Sequence, residues 1–201
     1  MNKNLILIFT RNPELGKVKT RLAASIGNEN ALEIYIQLLE HTKKVALETP
    51  YDKQVLYSEE INHDDIWDSS YFQKKLQVGA DLGERMQNAF QDGFDCGYEK
   101  IVIIGSDLIA LESSDITAAI ENLDDNDVVI GPAEDGGYYL LGMKKIPINL
   151  FKDKEWGTET VLRDTLQDIT NLKYYLLQEK NDIDTYDDIK NVPFFNKYTN
   201  K

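Results

Sequence analysis

A run of β-branched residues that ends in a polar turn is the feature that most constrains how this chain can fold. Ile101-Val102-Ile103-Ile104 has no polar position on either face, which indicates a strand buried on both sides of a sheet. Helical patterns run from Leu82 to Gly97 before it and from Ser113 to Leu123 after it. Because strands that alternate with helices are typical of a parallel sheet covered on both faces, we expect an α/β fold with strand 101–104 at its centre.

Other apolar runs complete the predicted sheet. They lie at residues 5–9, 54–57, 75–78, 127–130, 138–142 and 174–177. Too few residues separate run 127–130 from run 138–142 for a crossover helix, so strand 138–142 is expected to be antiparallel or at an edge. Amphipathic spacing predicts a helix over 28–48, and Thr158 is the expected N-cap of a later helix. The expected architecture is a mainly parallel, Rossmann-like mixed sheet with helices on both faces.

The chain shows no sign of division into several domains. Its 201 residues are enough to bury a sizeable core, and no repeat or low-complexity linker interrupts them. A single cysteine rules out an internal disulfide. We expect one domain over residues 1–195 and a frayed tail at 196–201.

Composition limits the partners of the protein. A net charge of −13 disfavours nucleic acid and anionic membranes, because both repel an acidic surface. No segment approaches the roughly 18 apolar residues of a membrane span, and the first residues lack a signal-peptide pattern. We expect a cytoplasmic protein without a membrane span, and the sequence leaves its oligomeric state open.

The segment from Thr10 to Leu22 is basic within this acidic chain. Four cations, at positions 11, 17, 19 and 21, stand against one acid, so the segment carries +3. A basic, glycine-containing turn between a first strand and a first helix is where α/β folds bind phosphates, although neither a Walker loop nor a G-x-G-x-x-G motif occurs. The alternative is a solvated basic turn. We predict phosphate or nucleotide binding by Arg11, Gly16, Lys19 and Arg21.

The turn after the central strand is the candidate catalytic position. In parallel sheets ligands bind beyond the carboxyl ends of the strands, and Gly105-Ser106-Asp107 forms that end here. An ordinary strand-to-loop turn is the rival interpretation, since all three residue types form turns. We predict that Asp107 is a catalytic carboxylate.

The segment Gly79 to Met86 supplies a further candidate ligand contact. Arg85, one of only four arginines in the chain, falls in the first turn of a predicted helix. The helix dipole favours acids there, so a cation indicates an anionic ligand nearby. Asp81 is a second candidate in this segment, and its alternative role is to cap the helix.

A glycine pair follows an acid between two predicted strands. Gly136 and Gly137, after Asp135, allow the backbone to pass close to a flat group such as a base or a sugar ring. A hairpin turn is the rival interpretation, because Asp-Gly is a strong turn signal. We predict that both glycines contact the nucleotide or its sugar.

Five segments together carry a resemblance to a known family. They are residues 13–22, 79–86, 105–107, 135–138 and 156–158, the last with Gly157 where the family has serine. In these segments the chain resembles the glycosyltransferase-A-like nucleotide-diphospho-sugar transferases of an uncharacterised bacterial group, some of which are linked to arsenosugar biosynthesis. The resemblance implies that family's fold and a nucleotide or nucleotide-sugar substrate, with a small-molecule acceptor.

A wider similarity concerns the metal. The chain is similar to small nucleotidyltransferases such as the phospholactate and molybdenum-cofactor guanylyltransferases. Those proteins pair a Gly-Ser-Asp-like carboxylate with a late Asp-x-Asp-Thr segment, and both can hold a metal ion. Asp107 and Asp184 occupy the corresponding places, although Leu108-Ile109 stand where proline is common. The resemblance therefore implies Mg²⁺ or Mn²⁺ on these two carboxylates, which are ligands that such ions prefer.

The leading hypothesis is transfer of a sugar from a nucleotide to a small acceptor. Asp107 with the metal would hold the diphosphate, and Asp135 would orient the acceptor or act as a base. Nucleotidyl transfer to a phosphorylated acceptor, with pyrophosphate release, is the alternative that a metal-binding Asp184 favours. A non-catalytic nucleotide-binding module ranks last, because the carboxylates and the basic loop are all intact.

Overall fold

A seven-stranded mixed sheet forms the centre of the protein, which a computed structural model describes over residues 3–199. Its strands are β1 (Asn4–Thr10), β2 (Asp52–Tyr57), β3 (Gln73–Leu76), β4 (Lys100–Ile104), β5 (Val128–Pro132), β6 (Tyr138–Met143) and β7 (Tyr174–Leu176). They lie in the order β3-β2-β1-β4-β6-β5-β7. The fourth of the seven strands is thus β4, which confirms that strand 101–104 is central.

Strand direction follows the lengths of the connections. β6 pairs antiparallel with both β4 and β5, whereas β1, β2, β3 and β4 pair parallel with one another and β5 pairs parallel with β7. Residues 133–137 are too few for a crossover helix, so the chain reverses direction between β5 and β6. Strand 138–142 was expected to be antiparallel or at an edge, and the first of these alternatives is confirmed, since the strand is antiparallel and internal.

Helices cover both faces of the sheet. They are α1 (Thr20–Ile26), α2 (Asn28–Leu47), α3 (Leu82–Asp95), α4 (Ser113–Asn122), α5 (Val161–Asp168), α6 (Tyr186–Ile189) and α7 (Asn196–Thr199), with a 3₁₀ turn at Pro193–Phe195. One face packs against α2 and α4, and the other packs against α3 and α5. The predicted mixed α/β fold with helices on both faces is confirmed. Within residues 3–199 no helix combines the length and the apolar character needed to cross a membrane.

Two local boundaries differ from the sequence prediction. β3 spans 73–76 rather than 75–78, because its pairing with β2 begins at Gln73 opposite Gln54, where the two side-chain amides also bond at 2.9 Å. Helix α5 begins at Val161 with Thr160 as its N-cap. The predicted cap, Thr158, instead donates its hydroxyl to the carbonyl of Glu155 at 2.8 Å. The first difference arises from pairing with a distant strand, and the second from a carbonyl three residues earlier in the chain.

The first part of the predicted tail is helical. Asn196–Thr199 forms α7, and Tyr198 is buried against the cluster that contains Leu22 and Ile34. The amide of Gln37 also donates to the hydroxyl of Tyr198 at 2.6 Å. Packing against α2 therefore orders this segment rather than leaving it frayed, while positions 200 and 201 lie outside the described residues.

Candidate active site

The candidate site forms where the carboxyl ends of β1 and β4 meet. Each strand continues there into a loop, residues 11–19 after β1 and residues 105–107 after β4. The C-terminal segment reaches the same edge, since the N–H of Ile183 donates to the carbonyl of Asp107 at 3.2 Å. The topology therefore brings together three parts of the chain that are far apart in sequence.

A cleft of about 720 Å³ opens at this edge, and we name it the basic compartment. Its lining includes the cations Arg11, Lys17, Lys19, Arg21 and Arg85, and the acids Glu59, Asp107 and Asp184. Positive charge is thus in excess here, in a chain whose net charge is −13. Such a cleft attracts anions.

Lys19 is the most constrained cation of the basic compartment. Its ammonium nitrogen lies 2.9 Å from Oδ2 of Asp107, and only 6% of its side chain is exposed. Burial opposes the positive charge, but the charges of Asp107, Asp182 and Asp184 outweigh it and raise the pKa of Lys19. The backbone at Lys19 is left-handed, with φ +47°. This part of the predicted loop is therefore a buried ion-pair position, not a solvated turn.

Arg21 pairs with the second predicted metal ligand. Its Nη1 atom donates to Oδ2 of Asp184 at 3.0 Å, across 163 positions of sequence. The side chain of Arg21 is 76% exposed, so the guanidinium is free to move towards a ligand in the cleft. Two predicted cations thus meet the two predicted metal-binding carboxylates, Asp107 and Asp184.

Asp182 belongs to the same cluster and was missed in the sequence analysis. Burial raises its pKa to about 6, and the nearby negative charges of Asp107 and Asp135 add to the effect. Among residues 3–199 its carboxylate accepts no hydrogen bond. The available signal was the alternation Asp182-Ile183-Asp184, which in an extended segment places both acids on one side and the buried Ile183 on the other.

A second, smaller cavity of about 180 Å³ adjoins the first, and we name it the aromatic compartment. It shares Leu82, Gly105 and Asp107 with the basic compartment. The rest of its lining consists of Ala133, Asp135, Gly137, Tyr138, Tyr139, Trp156, Gly157, Thr158, Val161 and Asp182. Carboxylates and aromatic rings therefore line this cavity, and no lysine, arginine or histidine is among these residues.

Trp156 lines the aromatic compartment, and its indole ring packs directly against Gly83. A Cβ atom at Gly83, in the first turn of α3, would overlap the indole ring of Trp156. On its other side Trp156 stacks on Phe151, with ring centroids 6.5 Å apart. The absence of a side chain at Gly83 thus leaves the space that the indole ring occupies.

The two predicted glycines behave differently. Gly137 lines the aromatic compartment, and its N–H donates to Oδ1 of Asp135 at 2.8 Å. Gly136 has φ +86°, and a Cβ atom there would overlap the backbone of Glu159. The close approach made by Gly136 is therefore to protein backbone, and it is not among the residues that line either compartment.

Two other predicted residues also lie outside the cleft lining. Asp81 caps α3, accepting a hydrogen bond from the N–H of Glu84 at 2.8 Å. Gly16 has φ +76° and is exposed in the loop after β1. Arg85 does line the basic compartment, and its Nε atom donates to the carbonyl of Gly79 at 3.1 Å.

Tyr35 of α2 is a positioning residue that the sequence analysis did not identify. Its hydroxyl accepts from the N–H of Arg11 at 3.0 Å and lies 3.1 Å from the Arg11 carbonyl, to which it donates. The same oxygen is 3.5 Å from Oγ of Ser106. Tyr35 therefore holds the start of the basic loop beside the turn that carries Asp107.

The carboxylates of this edge have the chemistry of a divalent-cation site. Mg²⁺ and Mn²⁺ prefer oxygen ligands, and Asp107, Asp182 and Asp184 all lie close enough to Lys19 for their charges to raise its pKa. Residues 3–199 contain no group of three or more His, Cys, Asp or Glu side chains arranged to hold a metal by themselves. In nucleotide sites, however, Mg²⁺ is commonly held by one or two carboxylates together with substrate phosphates. Asp107 and Asp184 fit that pattern.

Solved structures with this fold define a class of transferases. A protein from Desulfovibrio desulfuricans G20, assigned as a nucleotide-diphospho-sugar transferase, matches with a TM-score of 0.86 and 32% sequence identity, over 96% of this chain and 90% of that protein. This chain belongs to the family described as "Uncharacterized protein conserved in bacteria (DUF2064)", whose model matches residues 40–158. Comparison with curated proteins gave no match.

More distant structures share the fold alone. A cytidylyltransferase from Leptospira borgpetersenii serovar Hardjo-bovis has a TM-score of 0.60 and 15% identity, over 98% of this chain and 88% of that one. The inositol-1-phosphate CTP transferase of T. maritima has a TM-score of 0.60 and 12% identity, over 96% and 94%. The fold therefore occurs in proteins named for nucleotidyl transfer as well as for nucleotide-sugar chemistry.

Proposed function

We propose that this protein is a metal-dependent transferase that moves a sugar from a nucleoside diphosphate to a small acceptor. The observation that carries the proposal is the junction of two chemically different compartments at Asp107. One compartment is basic and suits a diphosphate. The other is lined by aromatic rings and carboxylates and suits a sugar or an acceptor.

The basic compartment supplies the contacts for the diphosphate. Lys19 is held by its ion pair with Asp107 and presents a point charge, whereas the exposed Arg21 can offer a forked pair of hydrogen bonds to phosphate oxygens. Arg11 and Arg85 add positive charge farther along the same cleft. These cations stabilise the negative charge that develops on the leaving nucleoside diphosphate.

Asp107 and Asp184 are the residues that would hold the metal ion. A bound Mg²⁺ or Mn²⁺ would neutralise charge on the departing diphosphate. Asp107 is well suited to this role because it follows a central buried strand, which limits its movement. The hydrogen bond between the Ile183 N–H and the Asp107 carbonyl keeps the segment of Asp184 beside it.

The acceptor is oriented on the opposite side of the junction. Asp135 is fixed by the bond that its Oδ1 accepts from Gly137, and its other oxygen is left to accept a hydrogen bond from an acceptor hydroxyl. As that hydroxyl oxygen bonds to the sugar, the bond from the sugar to the diphosphate breaks and the hydroxyl proton passes to Asp135. Catalysis then rests on positioning and charge stabilisation.

Nucleotidyl transfer is the second candidate. The convergence of Asp184 with Asp107 favours it, because the resemblance to small guanylyltransferases rests on that pair. In this reaction a phosphate oxygen of the acceptor attacks the α-phosphorus of a nucleoside triphosphate, and pyrophosphate leaves. The two reactions differ in the product that carries the leaving phosphates.

The experiment has two stages. First, nucleoside diphosphates, nucleoside triphosphates and nucleotide sugars are screened with Mn²⁺ by thermal shift. A ligand at about 100 times its Kd should stabilise the protein by about 2.7 kcal/mol. Second, the products formed with the best ligand are identified by mass spectrometry. Nucleoside diphosphate release supports sugar transfer, whereas pyrophosphate release replaces it with nucleotidyl transfer.

Two variants separate the site from general effects on the protein. Asp107→Asn should abolish the Mn²⁺-dependent part of the shift. Asp187→Asn removes one charge from an exposed side chain that pairs with Lys190, outside both compartments, and should behave as wild type. Binding without any product from the full panel of nucleotide sugars and triphosphates would identify a non-catalytic nucleotide-binding module.

A further inference from the structure

We propose that the aromatic compartment binds an uncharged, hydroxyl-bearing acceptor and that Asp135 and Asp182 exclude acceptors that carry a phosphate or carboxylate group. The assignment of this cavity to the acceptor rests on the proposed function. The selection by charge rests on the residues that line the cavity and can be measured without turnover.

The two compartments have opposite charge. Five cations line the basic compartment, but the residues that line the aromatic compartment include no cationic side chain and three carboxylates, one of which, Asp107, is paired with Lys19. A cavity lined by charges of one sign raises the free energy of a ligand with the same sign. Asp135 and Asp182 are not the carboxylates that would hold the metal ion, so their charges remain in the aromatic compartment when a metal is bound. These two charges disfavour an anionic ligand.

The carboxylates also specify what a suitable ligand must offer. An ionised carboxylate only accepts hydrogen bonds, so its partner must be a donor. Asp135 uses Oδ1 for Gly137, which leaves Oδ2 for a ligand, and the carboxylate of Asp182 accepts no hydrogen bond among residues 3–199. Hydroxyl groups of a ligand would satisfy these oxygens, whereas a phosphate would bring further acceptors and a like charge.

Size and shape favour a single small ring or short polyol. The cavity measures about 180 Å³, below the roughly 300 Å³ at which pockets for drug-sized ligands begin. Trp156, Tyr138 and Tyr139 give it flat apolar walls that pack against the carbon skeleton of such a ligand. The phenol oxygen of Tyr139 already donates to the Gln178 carbonyl at 3.1 Å. Hydrogen bonding to the ligand is therefore left mainly to the carboxylates.

The test uses matched pairs of probes that differ by one phosphate. Glucose, galactose and mannose are compared with their 6-phosphates, and glycerol is compared with glycerol 3-phosphate. Binding is followed by the fluorescence of Trp156, at constant ionic strength, with and without Mn²⁺ and the best nucleoside diphosphate. The other tryptophan, Trp67, is fully buried in a cluster on the opposite face of the sheet. Trp156→Phe shows which part of the signal comes from the cavity.

The wild-type protein should bind at least one neutral probe about tenfold or more tightly than its phosphate, a ratio within reach of a close like-charge contact. Asp135→Asn combined with Asp182→Asn should reduce that ratio to within about threefold. Asp187→Asn makes the same kind of change outside the cavity and should keep the wild-type ratio. Should the double variant unfold, Asp135→Asn alone is used, because Asp135 is exposed and asparagine can still accept from Gly137.

Three results would overturn the proposal. They are equal or tighter binding of the phosphorylated probes by wild type, an unchanged preference in the variants, and no Trp156-dependent binding of any neutral probe. Nucleotide binding is measured separately by thermal shift on the same samples. If nucleotides fail to stabilise the protein, the proposed function is contradicted. The selection by charge is still tested independently by the fluorescence titrations with neutral and phosphorylated probes. If nucleotides bind and anionic probes bind equally well, only the acceptor class is wrong.

Discussion

The ammonium nitrogen of Lys19 lies 2.9 Å from Oδ2 of Asp107, although 88 positions separate the two residues. This ion pair joins the basic loop after β1 to the turn after β4. Only 6% of the Lys19 side chain is exposed, against 39% for Asp107, so the carboxylate is the more accessible partner, although both residues line the basic compartment. The pair therefore joins the loops that follow two neighbouring central strands, β1 and β4.

Removing the charge of Lys19 should affect stability as well as binding. Lys19→Met leaves Asp107 facing Asp182 and Asp184 without the cation that now offsets them. We expect the free energy of unfolding in urea to fall by about 1–2 kcal/mol, less than for a fully buried pair because Asp107 is partly solvated. Lys17→Met, at an exposed pair with Glu14, should change it little. Equal effects of both substitutions would contradict a special role for Lys19.

Substitution of Lys19 should also weaken nucleotide binding. We expect Lys19→Met to weaken binding of the best nucleotide by about 1.5–3 kcal/mol, the range for hydrogen bonds to charged groups. Arg21→Ala should weaken it too, with little loss of stability, because the guanidinium is exposed. Calorimetric titration below the melting temperature of each variant checks both values. Wild-type affinity in both variants would leave the loop without a phosphate-binding role.

Substitutions of the two carboxylates predicted to bind the metal ion should differ in their effect on Mn²⁺-dependent nucleotide binding. Asp107→Asn should abolish Mn²⁺-dependent nucleotide binding, and Asp184→Asn should weaken it less, since Asp107 follows the central strand and Asp184 lies on a connecting segment. The measurement is calorimetric titration of Mn²⁺ in the presence of nucleotide. Unchanged affinity in Asp107→Asn would contradict the mechanism. Unchanged affinity in Asp184→Asn alone would remove only the two-carboxylate site.

Stability should depend on pH through Asp182. Its pKa is raised from 3.8 to about 6 in the folded protein by burial and by Asp107, so the folded state keeps a proton that the unfolded state has lost. The free energy of unfolding should therefore decrease as pH rises from about 4 to about 7, by an amount on the order of 1 kcal/mol after allowance for solvent screening. Urea unfolding in EDTA measures it. Asp182→Asn should remove this part of the pH dependence, and an unchanged profile would contradict it.

Tyr35 should act on the site through the Arg11 backbone. Tyr35→Phe removes the hydroxyl that bonds both the N–H and the carbonyl of Arg11. We expect a loss of about 1 kcal/mol in stability and weaker nucleotide binding, because the start of the loop is no longer held beside Ser106. Tyr71→Phe, at an exposed tyrosine, is the control and should change neither quantity. Weaker stability with unchanged nucleotide affinity would leave Tyr35 a purely structural role.

The central strand and its carboxylate were predictable because their signals are local. Four β-branched residues followed by Gly-Ser-Asp predict both the strand and the position of Asp107 without knowledge of any partner. The antiparallel direction of β6 was also predictable, since it depends only on the short connection from β5. The basic loop was recognised from its charge. Such features survive folding because they do not depend on distant residues.

Most of the features that the sequence did not show depend on distant partners. Nothing near Lys19 in sequence shows that its side chain is buried against Asp107, because the acid comes from another strand. Gly136 was expected to pass close to a ligand, but the backbone of Glu159 fills that place. The start of β3 depends on pairing with β2 rather than on its own apolar residues. Asp182 could have been predicted as a site residue from local sequence, because the alternation Asp182-Ile183-Asp184 places both acids on the same side of an extended segment.

A final prediction concerns Gly83, which lies beneath the indole ring of Trp156. Gly83→Ala introduces a methyl group where that ring now lies, so Trp156 must shift within the aromatic compartment. We expect an altered Trp156 emission spectrum and at least about a tenfold loss in acceptor use, because close contacts at the reacting groups depend on exact placement. Nucleotide affinity should remain near wild type, since neither Gly83 nor Trp156 lines the basic compartment.

A second glycine of the same helix provides the control for Gly83→Ala. Gly93→Ala makes the same change in α3, but its Cβ would meet the flexible end of Ile101 in the core rather than Trp156. This control is expected to lower stability and to leave the Trp156 spectrum and acceptor use unchanged. If Gly83→Ala binds nucleotide and uses the acceptor as wild type does, with an unshifted spectrum, then the position of Trp156 does not depend on Gly83. Loss of nucleotide affinity in Gly83→Ala would instead show that the two compartments are not independent.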